Sequence, residues 1–73
     1  GPVLEGGGEE LKYDMIQMLR RLTPKERAEK REEYECFERF WKPHDRQIAT
    51  QYRHNIEVLE RIEAELVEAE VLA

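Results

Sequence analysis

From position 11 the apolar residues fall at Leu11, Met15, Met18 and Leu22, alternating four and three as one face of a helix does. Ile16 and Leu19 widen that stripe, and Glu10, Lys12, Asp14, Gln17, Arg20 and Arg21 cover the rest. Glutamates open the segment and arginines close it, which suits the helix dipole at both ends. The pattern predicts a first helix over 9–22. It stops because Thr23-Pro24-Lys25-Glu26 starts another. Thr23 has the hydroxyl an N-cap needs, Pro24 fits the first helical position, and Glu26 stands where a capping box places its carboxylate.

A second helix is predicted over 24–41. Its opening turns are charged, and i,i+4 pairs such as Glu26–Lys30 are expected to support them. Tyr34, Cys36, Phe37, Phe40 and Trp41 crowd its last turns. Phe37, Trp41 and, further on, Tyr52 are the expected core, leaving Phe40 or Tyr34 for a partner. Pro43 disfavours helical geometry at Lys42, so Lys42-Pro43-His44-Asp45 reads as a turn or sharp kink.

Beyond it the pattern predicts a third helix over 44–72. Its seam reads Ile48, Tyr52, Asn55, Leu59, Ile62, Leu66, Ala69 and Ala73. That is a heptad-like register with one polar position. Either Asn55 is buried there and sets register and oligomer state, or Ile56 takes the buried place and Asn55 faces solvent. No strand candidate and no repeat interrupts this reading. The expected fold is all-α, a three-helix arrangement with a long, coiled-coil-like C-terminal helix.

Residues 1–8 stand apart. Gly1-Pro2 reads as the remnant a site-specific protease leaves after tag removal, and Gly6-Gly7-Gly8 as a flexible linker. No strand precedes the glycines and no Gly-Lys-Ser/Thr follows them, so they are not a phosphate loop. Residues 9–73 are then a single helical domain.

Composition changes this picture mainly by exclusion. In 73 residues, 40% are hydrophobic and 40% charged, so no stretch approaches a membrane span. The single cysteine, Cys36, cannot close a disulfide within the chain. An intracellular protein, cytoplasmic or nuclear, is the expectation.

The formal net charge is -5, and it is unevenly distributed. Arg20, Arg21, Lys25, Arg27, Lys30 and Arg31 cluster in one segment. Glu57, Glu60, Glu63, Glu65, Glu68 and Glu70 dominate another. Antiparallel packing of the second and third helices would bring these segments together and fix their register, although exposed pairs add only ~0–1 kcal/mol each.

Length sharpens the functional reading. At 1.5 Å per residue the three helices measure roughly 21, 27 and 42 Å. A hairpin about Pro43 therefore leaves the end of the third helix overhanging, unless the first helix folds back over it. An overhanging apolar end calls for a cover.

The expected function is a small protein–protein interaction module, an adaptor, scaffold or oligomerisation domain. It would bind a partner helix or its own copy through Ile56, Leu59, Ile62, Leu66, Val67 and Leu72, with Met15 and Leu19 of the first helix adjoining. The alternative is a nucleic-acid accessory domain that grips phosphates with the basic segment 20–31. Two glutamates interrupt that segment and no aromatic offers a stacking face within it.

Other chemistry has little to stand on. His44 and His54 lack the i,i+4 spacing of paired ligands on a helix, and no CxxC occurs, so no metal or other cofactor is expected. Cys36 has no evident base or oxyanion site beside it. No enzymatic activity, small-molecule substrate or membrane partner is expected. The Leu22-Thr23-Pro24-Lys25-Glu26 turn is too common among helical proteins to indicate a family.

Overall fold

The structure, a computed structural model, describes residues 14–73. Among the described residues there are three helices and no strands. Helix α1 is described over residues 14–21, α2 spans Pro24–Trp41 and α3 spans Arg46–Leu72. The all-α, three-helix expectation thus stands, long C-terminal helix included. The reading of residues 1–8 as tag remnant and linker, and the start of the first helix at residue 9, lie outside the described residues.

Local chemistry fixes the boundaries. Thr23 is extended, with φ -70° and ψ 161°, and its hydroxyl accepts from the Glu26 amide at 3.1 Å. The Glu26 carboxylate accepts in return from the Thr23 amide at 2.9 Å. That completes the capping box, with Pro24 in the first turn where its missing N–H costs nothing. The Glu26 pKa lies below its ordinary value, because hydrogen bonds from the Thr23 backbone and then its side chain favour the ionised carboxylate. Glu26 is therefore occupied by the cap and not by Lys30, as the sequence suggested. Lys30 bonds Glu33 instead, at 3.3 Å.

The second turn is equally specific. The amides of His44 and Asp45 both donate to the Trp41 carbonyl, at 2.9 and 2.7 Å. Asp45 is the N-cap of α3, its carboxylate accepting from the amides of Gln47 and Ile48 at 3.0 and 3.3 Å. Helix α3 consequently begins at Arg46, two residues later than expected, because the residues before it are committed to the turn and the cap.

Helices α2 and α3 pack as an antiparallel hairpin. Near the turn, the Arg53 guanidinium makes two hydrogen bonds to the Glu38 carboxylate, at 2.8 and 2.6 Å. Those bonds hold the Glu38 pKa below its usual value. Farther up, Arg31 reaches Glu63 at 3.1 Å. Between them Tyr34 and Phe37 lie against Tyr52, with ring centroids 6.2 and 5.2 Å apart.

Helix α1 adds the third wall at the far end. Leu19, Leu59 and Ile62 form the buried cluster there, and Met15, Ile16, Leu22, Val58 and Leu66 pack against it. Arg20 closes the edge with a 2.8 Å bond to Glu65. Basic residues of 20–31 thus meet acidic residues of 57–73, the complementarity the charge pattern implied. Arg27 is buried at the link between α1 and α2, where its guanidinium donates to the Leu22 carbonyl.

Two core assignments change. On α2 the buried aromatic is Tyr34, while Phe37 is exposed and Trp41 only partly buried. The i−3 position faces the helix pair more squarely, and burial pushes the Tyr34 pKa upward. On α3 the interior line runs through Ala49, Ile56, Leu59 and Ile62. Ile56 takes the buried place, and Asn55 and Ile48 are half-buried beside the line.

Candidate interaction surface

The residues expected to face a partner divide into three groups. Ile56, Leu59, Ile62 and Leu19 are all within the chain's own interior, with Leu19 and Leu59 at 0% exposure. Their assignment to a partner surface is corrected: α1 and α2 already cover them. Met15 and Leu66 are partly buried and pack against the same cluster. Only Val67 and Leu72 are open, at 60% and 79% exposure, and Val71 joins them at 79%.

The overhang is therefore real but short. Helix α1 folds back as far as Leu66, through its contact with the Leu19 cluster. The helix continues past that point for more than a turn, carrying Val67, Val71 and Leu72 with Glu68, Ala69 and Glu70 between them, all exposed. No basic residue lies in the last turn of α3. The negative end of the helix dipole is thus reinforced by carboxylates instead of being offset by cations.

A second apolar patch sits at the hairpin end. Phe40 is 58% exposed, its ring edge-on to Trp41 at 5.2 Å and tilted against His44 at 5.4 Å. Phe37 is exposed one turn earlier. The sequence had reserved Phe40 or Tyr34 for a partner, and of these it is Phe40 that is free. Arg39, Lys42 and Arg46 lie away from the patch, in depressions they share with Glu38 and Arg53, and none of the three forms an ion pair among the described residues.

The basic segment 20–31 does not form one surface. Arg20, Lys30 and Arg31 bind Glu65, Glu33 and Glu63. Arg27 is buried, its Nε and that of Arg31 without hydrogen-bond partners. Arg21 and Lys25 are exposed and outside the ion pairs among the described residues.

His44 lies in the turn, while His54 and Cys36 are exposed. No group of three or more His, Cys, Asp or Glu is assembled for a metal ion among the described residues. A shallow depression along the first turns of α3 is lined by Arg46, Gln47, Ile48, Thr50 and Gln51, a set that holds no general base. Among the described residues no helix is long and apolar enough to cross a membrane. Compared with protein-family models, with curated proteins and with solved structures, the chain gives no match.

Proposed function

We propose that this chain is a small helical protein–protein interaction module, a binding protein and not an enzyme, that docks through the end of α3. The observation carrying this reading is the exposure of Val67, Val71 and Leu72, past the last residue of α3 that packs against the Leu19 cluster. Three large aliphatic side chains within two turns of an otherwise charged surface are costly to leave in water, at roughly 25 cal/mol per Å² of apolar area. The rest of the predicted stripe serves the fold, and the docking surface is its continuation.

The nucleic-acid alternative is less well served. Four of the six cations it relies on are held by carboxylates or buried at the α1–α2 link. An intracellular setting suits the free and exposed thiol of Cys36, which a reducing compartment protects from intermolecular oxidation.

The reading is tested by affinity capture with two baits, the full chain and its Val67→Gln/Val71→Gln variant, compared protein by protein after matching their helix content by circular dichroism. Proteins, including further copies of the chain, should be retained by the first bait and lost from the second. Identical capture by both would remove the α3 end as the docking surface.

A further inference from the structure

We propose that the α3 end docks a helix of a different protein, one whose contact line is apolar over one heptad and basic over the next. This rests on the reading of the α3 end as a docking surface and names the chemistry of its occupant.

Helix α3 carries two lines at heptad spacing, and the fold uses only one. The interior line ends with Leu59, Ile62 and Leu66. A second runs through Arg53, Glu57, Glu60, Ala64, Val67 and Val71, alternating four and three, and all six are exposed. No proline or glycine bends the helix beneath it. Helix α1 packs on another flank, where Ile16 and Arg20 share a depression with Val58, Arg61, Ile62 and Glu65. Arg61, the single cation of residues 57–73, is thereby turned away from the second line.

That line changes character along its length. Arg53 is already held by Glu38. Glu57 and Glu60 lie outside the ion pairs among the described residues, as do Glu68 and Glu70 on the flanks of the valines. Ala64, Val67 and Val71 then form a short apolar stretch, on a helix end with no basic residue in its last turn. The matching helix must set apolar side chains against this last stretch and lysine or arginine against Glu57 and Glu60.

A second copy of the chain lacks that pattern. Paired antiparallel in register, its Glu60, Glu57 and Arg53 would meet Ala64, Val67 and Val71. Paired parallel, Glu57 and Glu60 would meet their own counterparts. Slid until valine meets valine, the copies would bring the Glu68 and Glu70 carboxylates of both alongside one another. Every register sets charge on apolar surface or like charge on like, and both oppose association. The line from Glu57 to Val71 is about 21 Å long at 1.5 Å per residue. A contact of that size belongs to the weak, transient class.

The probe is a synthetic helical peptide of about three heptads, with leucine facing Ala64, Val67 and Val71 and lysine facing Glu57 and Glu60. Its control carries glutamate in place of each lysine. Fluorescence anisotropy with the full chain at low salt should show the lysine peptide favoured by about tenfold or more. Val67→Gln/Val71→Gln keeps every carboxylate and should weaken that binding about tenfold. Glu57→Lys/Glu60→Lys should reverse the preference between the two peptides. If that variant loses helix content, Glu57→Gln/Glu60→Gln takes its place and should erase the preference.

Equal binding of the two peptides, binding of neither, or lysine-peptide binding untouched by the valine changes overturns the proposal. So does sedimentation of the wild-type chain alone as a dimer that Val67→Gln/Val71→Gln dissolves, because the occupant is then a second copy. The docking surface itself would survive those results if capture of proteins still depended on Val67 and Val71.

Discussion

Among the described residues, three helices meet around aliphatic side chains at one end of the α2–α3 hairpin, and two meet around aromatic ones at the other. Leu19, Leu59 and Ile62 are sealed at the first end, whereas Phe37 and Phe40, larger and just as apolar, stay open at the second. Burial here follows the number of walls and not the hydrophobicity of the residue. Two helices hide only the line along which they touch, and a third is needed to close the flanks. The aromatic end compensates with a covalent turn and the bidentate Arg53–Glu38 pair.

The sharpest way to break this comparison is to remove a side chain from each end. Leu59→Ala should cost about 3 kcal/mol, as a cavity in a closed core does. A domain this small has little more than that to lose, so urea titration followed by circular dichroism should show a mostly unfolded chain. Phe40→Ala should stay within about 0.5 kcal/mol of the parent. Comparable losses at both sites would mean the aromatic end is as closed as the aliphatic one.

The caps come next in size. Thr23→Ala unseats the link between α1 and α2, and Asp45→Ala the start of α3. Each should lower stability by about 1 kcal/mol. Native-state hydrogen exchange would separate them: Thr23→Ala should speed exchange in α1 before it affects the hairpin turn, and Asp45→Ala the reverse. A uniform acceleration in both variants would show that the two ends open only together.

The smallest effect is carried by acid. Glu26 and Glu38 both have pKa values below the ordinary 4.5, one at each end. A carboxylate whose pKa is depressed by folding adds stability above its unfolded value, and that stability disappears as pH falls through the folded one. Melting temperature should therefore drop below about pH 4.5, and Glu26→Gln or Glu38→Gln should each flatten the drop. Added salt should shrink the Glu38 contribution, an exposed ion pair, and leave most of that from Glu26, which bonds amide and hydroxyl groups. Equal salt sensitivity in the two variants would contradict those assignments.

Much of this architecture was legible because it is local. Thr23, Pro24 and Glu26 lie within one turn and announce the start of α2 with no reference to anything distant, and the bounds of α2 came out as read. The choice among neighbours was not legible. Ile48 and Ala49, or Asn55 and Ile56, stand about 100° apart on α3, so either member of each pair fits an apolar seam. Which one turns inward depends on where α1 and α2 stand. The same ambiguity put Phe37 in the core ahead of Tyr34. The docking residues suffered likewise: periodicity runs unbroken from Ile56 to Leu66, but α1 takes that stretch for itself and leaves only the apolar residues after it.

The brevity of the α1–α2 link has a consequence for rivals. Only Leu22 and Thr23 separate the helical residues of α1 from Pro24. A helix tethered this closely sits over Leu59 and Ile62 at an effective concentration in the millimolar range or above. An outside helix seeking those two residues competes with a ligand that never diffuses away. Its apparent affinity falls by the fraction of time α1 is lifted. Inserting a long glycine–serine stretch between Leu22 and Thr23 would lower that local concentration while keeping both the Leu22 side chain for the core and the Thr23 cap of α2.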